Sequence, residues 1–417
     1  MSKINDPKIV TERLKKDIIK LLIDEVVMDK TDIPGTFNAG ATLGPVNETN
    51  MARIWNKHKQ SNTPLKRKVF VGMSGGVDSS VAATLLKKQG YEVIGVFIKV
   101  WEPPGFPCAW REDRRDAMRV AAKLGIPFLT LDLSREYKRG VVDYMIKEYR
   151  AGRTPNPDVM CNREIKFGAF YQWAMKRGAT FVATGHYVRY QISNTNHQGR
   201  SLMKAVDRAK DQSYFLWNLT PAQLAHTLFP IGDYQKSEVR KLAKKFGLPT
   251  AEKKDSQGLC FIGQLDLKEF LKNYIKPKPG KVVDEAGKAI GRHDGVPFYT
   301  IGERHGFAIT KKSPSDKPYY VVAKNVKSNV LIVSTNQNVK HRTLNILLQN
   351  TNWLVKPEPG KTYQAQIRYH GELLACTVKT NTKRTVVHLM LDSVAVAPGQ
   401  SLVIYDGEVI VGGGIIG

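Results

Sequence analysis

The chain is poor in cysteine, in long apolar runs and in acid. Its four cysteines, Cys108, Cys161, Cys260 and Cys376, lie far apart, and no two stand as C-x-x-C. That spacing excludes a disulfide-stapled secreted domain, gives poor support to a zinc site and points to a reducing compartment. No stretch approaches the roughly 18 uninterrupted apolar residues of a membrane-spanning helix, so none is expected. The opening residues, Met1 to Pro7, carry no apolar signal core, and early acidic residues argue against an organelle transit peptide, so a cytoplasmic protein is expected. There is no internal repeat of fixed period and no low-complexity tract. Asp and Glu number 38 against 64 Lys and Arg, for a formal net charge of +26. Such an excess suits a polyanionic partner, nucleic acid above all, although charge alone does not separate RNA from DNA or from an acidic membrane.

What is present begins with V-F-V-G-M-S-G-G-V-D-S-S at Val69 to Ser80. Val69, Phe70 and Val71 read as a buried strand, and Val81 to Lys88 has the apolar spacing of a helix. Between them Gly72, Gly75 and Gly76 allow backbone conformations closed to other residues. A glycine-rich turn that opens a helix offers unpaired N–H groups and the positive end of the helix dipole to an anion. The turn lacks the G-K-[ST] of a Walker loop. It does not fit G-x-G-x-x-G either, and it holds an acid, Asp78, inside the loop. The run S-G-G-V-D-S at Ser74 to Ser79 resembles the PP-loop of the ATP pyrophosphatases, enzymes that split ATP into AMP and pyrophosphate while adenylating a substrate. The plain alternative is an ordinary glycine-rich strand-to-helix turn.

A chain of 417 residues is too long for one core and calls for two to four domains. Residues 1–66 say least. Thr11 to Met28 has helical spacing, with Leu14, Ile18, Leu21 and Leu22 on one side, and Arg53 to Lys59 is basic and carries Trp55; the stretch is an extension of unknown role. Residues 67–265 alternate strand and helix. Strands are expected near Val93 to Val100, Phe128 to Leu131 and Phe181 to Thr184, and helices over Asp113 to Leu124 and Arg135 to Arg150. That alternation predicts an α/β domain with a doubly wound parallel sheet, whose ligand binds at the carboxyl ends of its strands. The segments after Val71, after Val100 and at Thr184-Gly185-His186 would converge there. From about Gly263 short apolar runs separated by turn residues predict two small, mostly-β, barrel-like domains, placed at 266–335 and 336–417.

Two further blocks carry chemistry. In T-P-N-P-D-V-M-C-N, Thr154 to Asn162, two prolines predict a stiff, extended loop with Asp158 three residues before Cys161. Arg153, Arg163 and Lys166 are close in sequence and favour a thiolate. The alternative is a small, buried, inert cysteine. In D-S-Q-G-L-C-F-I-G, Asp255 to Gly263, Cys260 follows Lys253 and Lys254 in a polar, glycine-bounded loop. Two isolated cysteines are compatible with bystanders, with metal ligands or with a redox pair; a pair that meets only in the folded protein can pass sulfur as a persulfide.

These blocks, with A-T-G-H-Y, K-D-Q-S-Y-F-L and Y-T-I-G-E-R-H-G, resemble the tRNA-specific 2-thiouridylase (MnmA) family from about Lys68 to the C-terminus. The resemblance implies a PP-loop ATPase domain in which Gly72, Met73, Ser74, Gly75, Gly76, Val77, Asp78 and Ser79 hold the phosphates of ATP, with Asp78 near its Mg2+. Ile98 and Gly185 would contact the adenosine. Asn156, Pro157 and Asp158 would contact the target uridine, whose C2 oxygen is adenylated. The counterpart of Cys260 accepts a persulfide and attacks C2, that of Cys161 attacks the persulfide, and Asp158 serves as acid or base. His186, Lys210, Asp211, Gln212, Arg368, Tyr369 and Gln400 fall where the family contacts tRNA. Lys210 to Gln212 also reads as a solvated turn, and Arg368 and Tyr369 as decoration of a strand. The implied partners are tRNA and a persulfide donor, a cysteine desulfurase or sulfur-relay protein. No structural metal is implied, and Cys108 and Cys376 read as non-catalytic. Trp101 to Arg111 is proline-rich where relatives commonly carry an acidic segment, Gln257 stands where Thr is usual, and Glu303-Arg304-His305 replaces Q-R-K. One rival, an amidating PP-loop synthetase, does not need the two loop cysteines. Another, an RNA-binding protein with a relict nucleotide site, predicts loss of Asp78, Cys161 or Cys260, and all three are present.

Overall fold

A computed structural model of the chain describes residues 67–417 apart from 104–109, 193–199, 256–265, 311–316, 337–344, 382–383 and 391–394. Residues 1–66, Cys108, Gln257 and Cys260 lie outside the described residues. Strand β1 (Lys68–Gly72) is the centre of the first sheet, because Val69, Phe70 and Val71 are apolar in succession and both faces are covered. It leads into helix α1 (Val77–Lys88), then β2 (Glu92–Lys99), α2 (Trp110–Leu124) and β3 (Phe128–Asp132). A long helix, α3 (134–150), widens to π-helical turns at Lys138–Asp143; α4 (157–176) does so at Cys161–Ala169. Strands β4 (Phe181–Ala183), β5 (Arg189–Ile192), β6 (Arg200–Met203) and β7 (Thr227–Leu228) follow, then α5 (Lys236–Lys245) and α6 (Leu267–Lys272).

The sheet order is β3-β2-β1-β4-β7, all parallel. The doubly wound expectation is met, and the order reverses direction between β1 and β4, where loops leave on opposite sides and open a crevice. Alternation along β1 sets the layers. Val69 and Val71 pack with Val81 and Leu86 of α1, Val120 of α2 and Val239 of α5. Phe70 faces the other way, toward Met145 and Ile165 of α3 and α4, and that core runs on through Phe270 and Leu271 of α6 into the central domain.

The central domain is a five-stranded sheet in the order β10-β9-β8-β12-β11, built from β8 (Gly280–Val283), β9 (Ala289–His293), β10 (Ala308–Ile309), β11 (Tyr320–Asn325) and β12 (Val330–Ser334). The C-terminal strands β13 (Asn345–Trp353), β14 (Thr362–Gln366), β15 (Leu374–Thr380), β16 (Thr385–Leu389), β17 (Ser401–Asp406) and β18 (Val409–Ile416) run β13-β16-β15-β14-β17-β18, and β18 pairs back with β13. This closes a six-stranded antiparallel barrel and removes its edges. Cys376, in β15, faces the barrel interior with Tyr363, Val387 and Ile404, and burial pushes its thiol up to about 12. A thiol kept protonated in this way is a weak nucleophile.

One feature of the topology was not expected. The hairpin β5–β6, inserted in the α/β region, adds to the barrel sheet through Met203 opposite Val409. Beneath it Trp217, 1% exposed, packs with Leu219, Val403 and Ile410, and its indole N–H donates to Ser401 Oγ at 3.1 Å. Tyr214 Oη donates to the Ser401 carbonyl at 2.7 Å, and Asn352 Nδ2 to the carbonyls of Trp217 and Leu219. The two domains therefore share a buried, hydrogen-bonded seam. Trp217→Ala is expected to cost about 3–5 kcal/mol, the usual range for emptying such a site; the shift of the denaturant midpoint measures it, and an unchanged midpoint contradicts a tight seam.

Candidate active site

The phosphate-loop turn is held open by its own side chains. Met73 N–H donates to the Val96 carbonyl at 2.8 Å, carrying the chain one step beyond β1. Gly75 has φ +76, and a Cβ there would lie 2.2 Å from the Asp113 carbonyl oxygen, so α2 abuts the loop directly. Gly76, extended, is the N-cap of α1 and brings no side chain of its own. Instead the Ser79 and Ser80 hydroxyls donate to the Gly76 carbonyl at 3.2 and 2.7 Å, and Ser79 Oγ accepts from the Ser74 N–H at 3.2 Å. The first N–H groups of the helix, which have no intrahelical acceptor, are thus aimed outward from a fixed turn.

Around the loop is a charge network that the sequence reading missed. Lys236, at the first position of α5, puts its ammonium 2.7 Å from both carboxylate oxygens of Asp78 and 2.9 Å from Asp255. Arg240 reaches Asp255 at 2.6 Å, and Lys210 reaches the same carboxylate at 2.9 Å. Burial alone would raise the Asp255 carboxyl, but hydrogen bonds from Lys210 and Lys236 override it and hold it down to about 2. Tyr187 Oη donates to Asp78 at 2.8 Å, and its own ionisation is pushed up, first by burial and then by that carboxylate. Lys253 bridges Asp113 and Asp116 at 2.7 and 2.6 Å. A signal for Lys236 was present in Q-K-S-E: Gln235 and Glu238 form a reciprocal cap that fixes where α5 begins.

The block around Cys161 is not the extended loop expected from its prolines. Asn156 is extended, but Pro157 opens α4, its fixed φ suited to a first helical position, and Asn156 caps it by accepting the Val159 N–H at 3.2 Å. Asp158 and Cys161 thus lie one turn apart on a helix, and Cys161 begins the π-helical stretch. Burial pushes the Asp158 carboxyl above its ordinary value while the Lys166 charge pulls the other way. Cys161 is 5% exposed and packs with Met160, Ile165 and Tyr137, so the basic flanks do not surround an open thiol.

The turn after β4 joins the two halves. A Cβ on Gly185 would lie 2.6 Å from the Ser79 nitrogen and 2.8 Å from the Asp78 carbonyl carbon, so only glycine lets this turn rest on the start of α1. The next residue, His186, is buried; its Nδ1 is 2.7 Å from Thr184 Oγ1 and its Nε2 is 3.3 Å from Lys166 Nζ on α4. Burial, with Lys166 beside it, drives its pKa well below the ordinary value and keeps the ring neutral. Ile98 sits half-buried near the carboxyl end of β2.

The residues expected to meet tRNA fall into two sets. Arg368 is exposed, and Tyr369 lies against Phe215 and stacks on His370, with ring centroids 4.3 and 3.9 Å apart. Beside them Arg208, His370, Leu373 and Glu408 line a groove between the barrel and the α/β domain. Lys210, Asp211 and Gln212 are tied inward. Lys210 pairs with Asp255, Asp211 accepts from the Ala205 and Ser213 N–H groups, and Gln212 accepts from the Tyr187 N–H. That is not a solvated turn. Gln400 likewise donates inward, to the carbonyls of Thr154 and Pro155.

A doubly wound parallel sheet with an S-G-G-V-D-S turn at its switch point defines a PP-loop nucleotide-binding enzyme. Family models match over residues 67–264 (tRNA methyl transferase HUP domain), 268–335 (tRNA methyl transferase PRC-barrel domain) and 343–416 (aminomethyltransferase beta-barrel domain). The tRNA-specific 2-thiouridylase MnmA of Chromobacterium violaceum is 46% identical, over 84% of this chain and 92% of the relative. Those of Methylobacillus flagellatus and Lysinibacillus sphaericus are 45% and 44% identical, over 84% and 86% of this chain and 99% and 96% of the relatives. The chain belongs to the tRNA-specific 2-thiouridylase MnmA family.

Because the Asp255 carboxyl is depressed in the folded protein, its stabilisation is present above the unfolded value and is lost as the pH falls from about 4 toward about 2. Asp255→Asn is expected to lower the melting temperature at pH 7, with a gap to the parent that narrows below pH 4. A gap independent of pH contradicts the network.

Proposed function

We propose that the chain is an ATP-dependent tRNA-uridine 2-sulfurtransferase that converts the wobble uridine to 2-thiouridine. The observation that carries this reading is the single turn, 184–186, which rests on the phosphate loop through Gly185 and on the Cys161 helix through His186 and Lys166. Activation by ATP and attack by sulfur must act on one carbon, and that turn brings their two machineries together. The family-model descriptions speak of methyl transfer; the cysteine-bearing blocks favour sulfur.

In the proposed reaction the C2 oxygen of the uridine attacks the α-phosphorus of ATP and pyrophosphate leaves. The phosphate loop's N–H groups and Lys236 would receive the charge of pyrophosphate. Asp78 has the hard oxygen donors that Mg2+ takes and is partly exposed beside the loop; Mg2+ bound there would neutralise the phosphates. The outer sulfur of a Cys260 persulfide then adds to C2. The Cys161 thiolate attacks Cys260 Sγ, the S–S electron pair passes to the sulfur on C2, and AMP departs with the original oxygen. A Cys161–Cys260 disulfide remains for an external thiol to reduce. Asp158, its carboxyl raised by burial, holds its proton to higher pH than an exposed acid does, the direction an acid–base residue requires. Asn156 and Pro157 bound the uridine site at the start of α4. Arg368 and Tyr369 would meet the anticodon loop, whose single-stranded bases can be splayed out without breaking a duplex. His186 and Lys210, Asp211 and Gln212 would shape the walls from behind. The sulfur comes from a persulfide donor. Among the described residues no helix is long and apolar enough to cross a membrane, and a cytoplasmic enzyme fits the scattered thiols.

The test incubates the enzyme with ATP, Mg2+, a persulfide donor and unmodified tRNA, then digests the RNA for mass spectrometry. Parent enzyme is expected to form 2-thiouridine. Cys161→Ser and Cys260→Ser are each expected to form none while keeping their affinity for ATP. Product from either variant rules out the two-cysteine route.

A further inference from the structure

Most cations around the site are already matched by an acid. Arg153 holds Glu148, Arg163 holds Glu164, Lys210, Lys236 and Arg240 share Asp255, and Lys253 takes Asp113 and Asp116. Lys166, half-buried on α4, is the exception. Among the described residues no carboxylate comes within ion-pair distance of it, and its one hydrogen bond, 3.3 Å from Nζ to His186 Nε2, is to a neutral ring. An ammonium only donates, so Nε2 accepts, and the ring proton sits on Nδ1, facing Thr184 Oγ1 at 2.7 Å. Two of the three ammonium hydrogens therefore remain for another acceptor. Phe167 and Phe229 lie against the same imidazole, with ring centroids 5.9 and 6.4 Å away, so one flank of the charge is apolar and water screens it poorly there. A neutral ring does not offset the cost of withdrawing a charge from water; an anion does.

This charge stands where the two halves of the site meet. Its field reaches both the Asp158 carboxyl, on the same helix, and the His186 ring. His186 follows Gly185, whose backbone rests on Ser79 at the phosphate loop. We propose that Lys166 is a catalytic residue of the thiolation: its ammonium takes the phosphate that links uridine to adenosine in the adenylated intermediate, and holds it as AMP departs. This rests on the functional reading above. In the intermediate that phosphate is a diester with a single negative charge. Once sulfur has added to C2, the C2–O bond breaks, its electron pair stays on the oxygen, and the phosphate leaves as a monoester carrying a second charge. A cation beside it gains attraction as the bond breaks, which favours the transition state over the bound intermediate.

Lys166→Met keeps an unbranched side chain and removes the charge. By calorimetry its Kd for AMP is expected to rise about tenfold, the scale of one hydrogen bond to a charged group, while its Kd for adenosine stays within about twofold. Lys166→Arg is expected to keep most of the AMP affinity. In a single turnover with ATP, Mg2+, tRNA and a persulfide donor, Lys166→Met is expected to form AMP and 2-thiouridine about tenfold or more slowly than the parent, with pyrophosphate slowed less. An unchanged AMP Kd overturns the proposal, and so does pyrophosphate slowed as much as AMP. Melting temperature is the folding control, and Lys166→Gln takes the place of the Met variant if that does not fold. The comparison of AMP with adenosine needs no turnover, so it decides the anion site even if the parent enzyme makes no 2-thiouridine.

Discussion

The site depends on one close approach. The turn after β4 lies against the first turn of α1 with no room for a Cβ at Gly185, and one residue later the same backbone delivers His186 to Lys166. Because β1 and β4 are adjacent parallel strands, their carboxyl ends emerge side by side, and the loop from one reaches the helix that follows the other.

The second constraint is electrostatic. Two carboxylates, Asp78 and Asp255, sit beside a loop made for anions, an arrangement that would repel phosphate if uncompensated. Lys236, Arg240 and Lys210 leave the cluster with one positive charge in excess. Those cations are only partly exposed, so their attraction is screened less than that of surface lysines. Lys236 stands between the two acids, within hydrogen-bond reach of each. On the other side of the site, burial raises Asp158 and keeps His186 neutral. The acid beside the phosphate loop is thus depressed while the acid on the Cys161 helix is raised, and pairs pushed apart in this way suit opposite roles.

Much of this was legible beforehand because it is local. The strand-turn-helix at Val69 to Ser80 declares itself by glycines and apolar period, and the barrel by short runs between turns. The error at Pro157 came from reading two prolines as extension, when Asn156 before the second supplies a helix cap and proline is favoured at the first helical position. The β5–β6 hairpin was missed because four-residue strands carry too little alternation to register, and their pairing is with a strand two hundred residues on. The contacts of Lys236 and Gln400 were hidden for a related reason. One partners Asp78 and the other Thr154, and such contacts exist only once distant segments have folded together. Gln400 shows the limit of family resemblance as well: it marks a position as important without saying which way the side chain faces.

The central claim is that the phosphate loop activates the same carbon to which sulfur is delivered. It is tested most directly with tRNA whose wobble uridine carries ¹⁸O at C2, turned over with ATP, Mg2+ and a persulfide donor. The account predicts one ¹⁸O in the phosphate of each AMP formed, in step with 2-thiouridine. Label found in water or inorganic phosphate, with none in AMP, would contradict it.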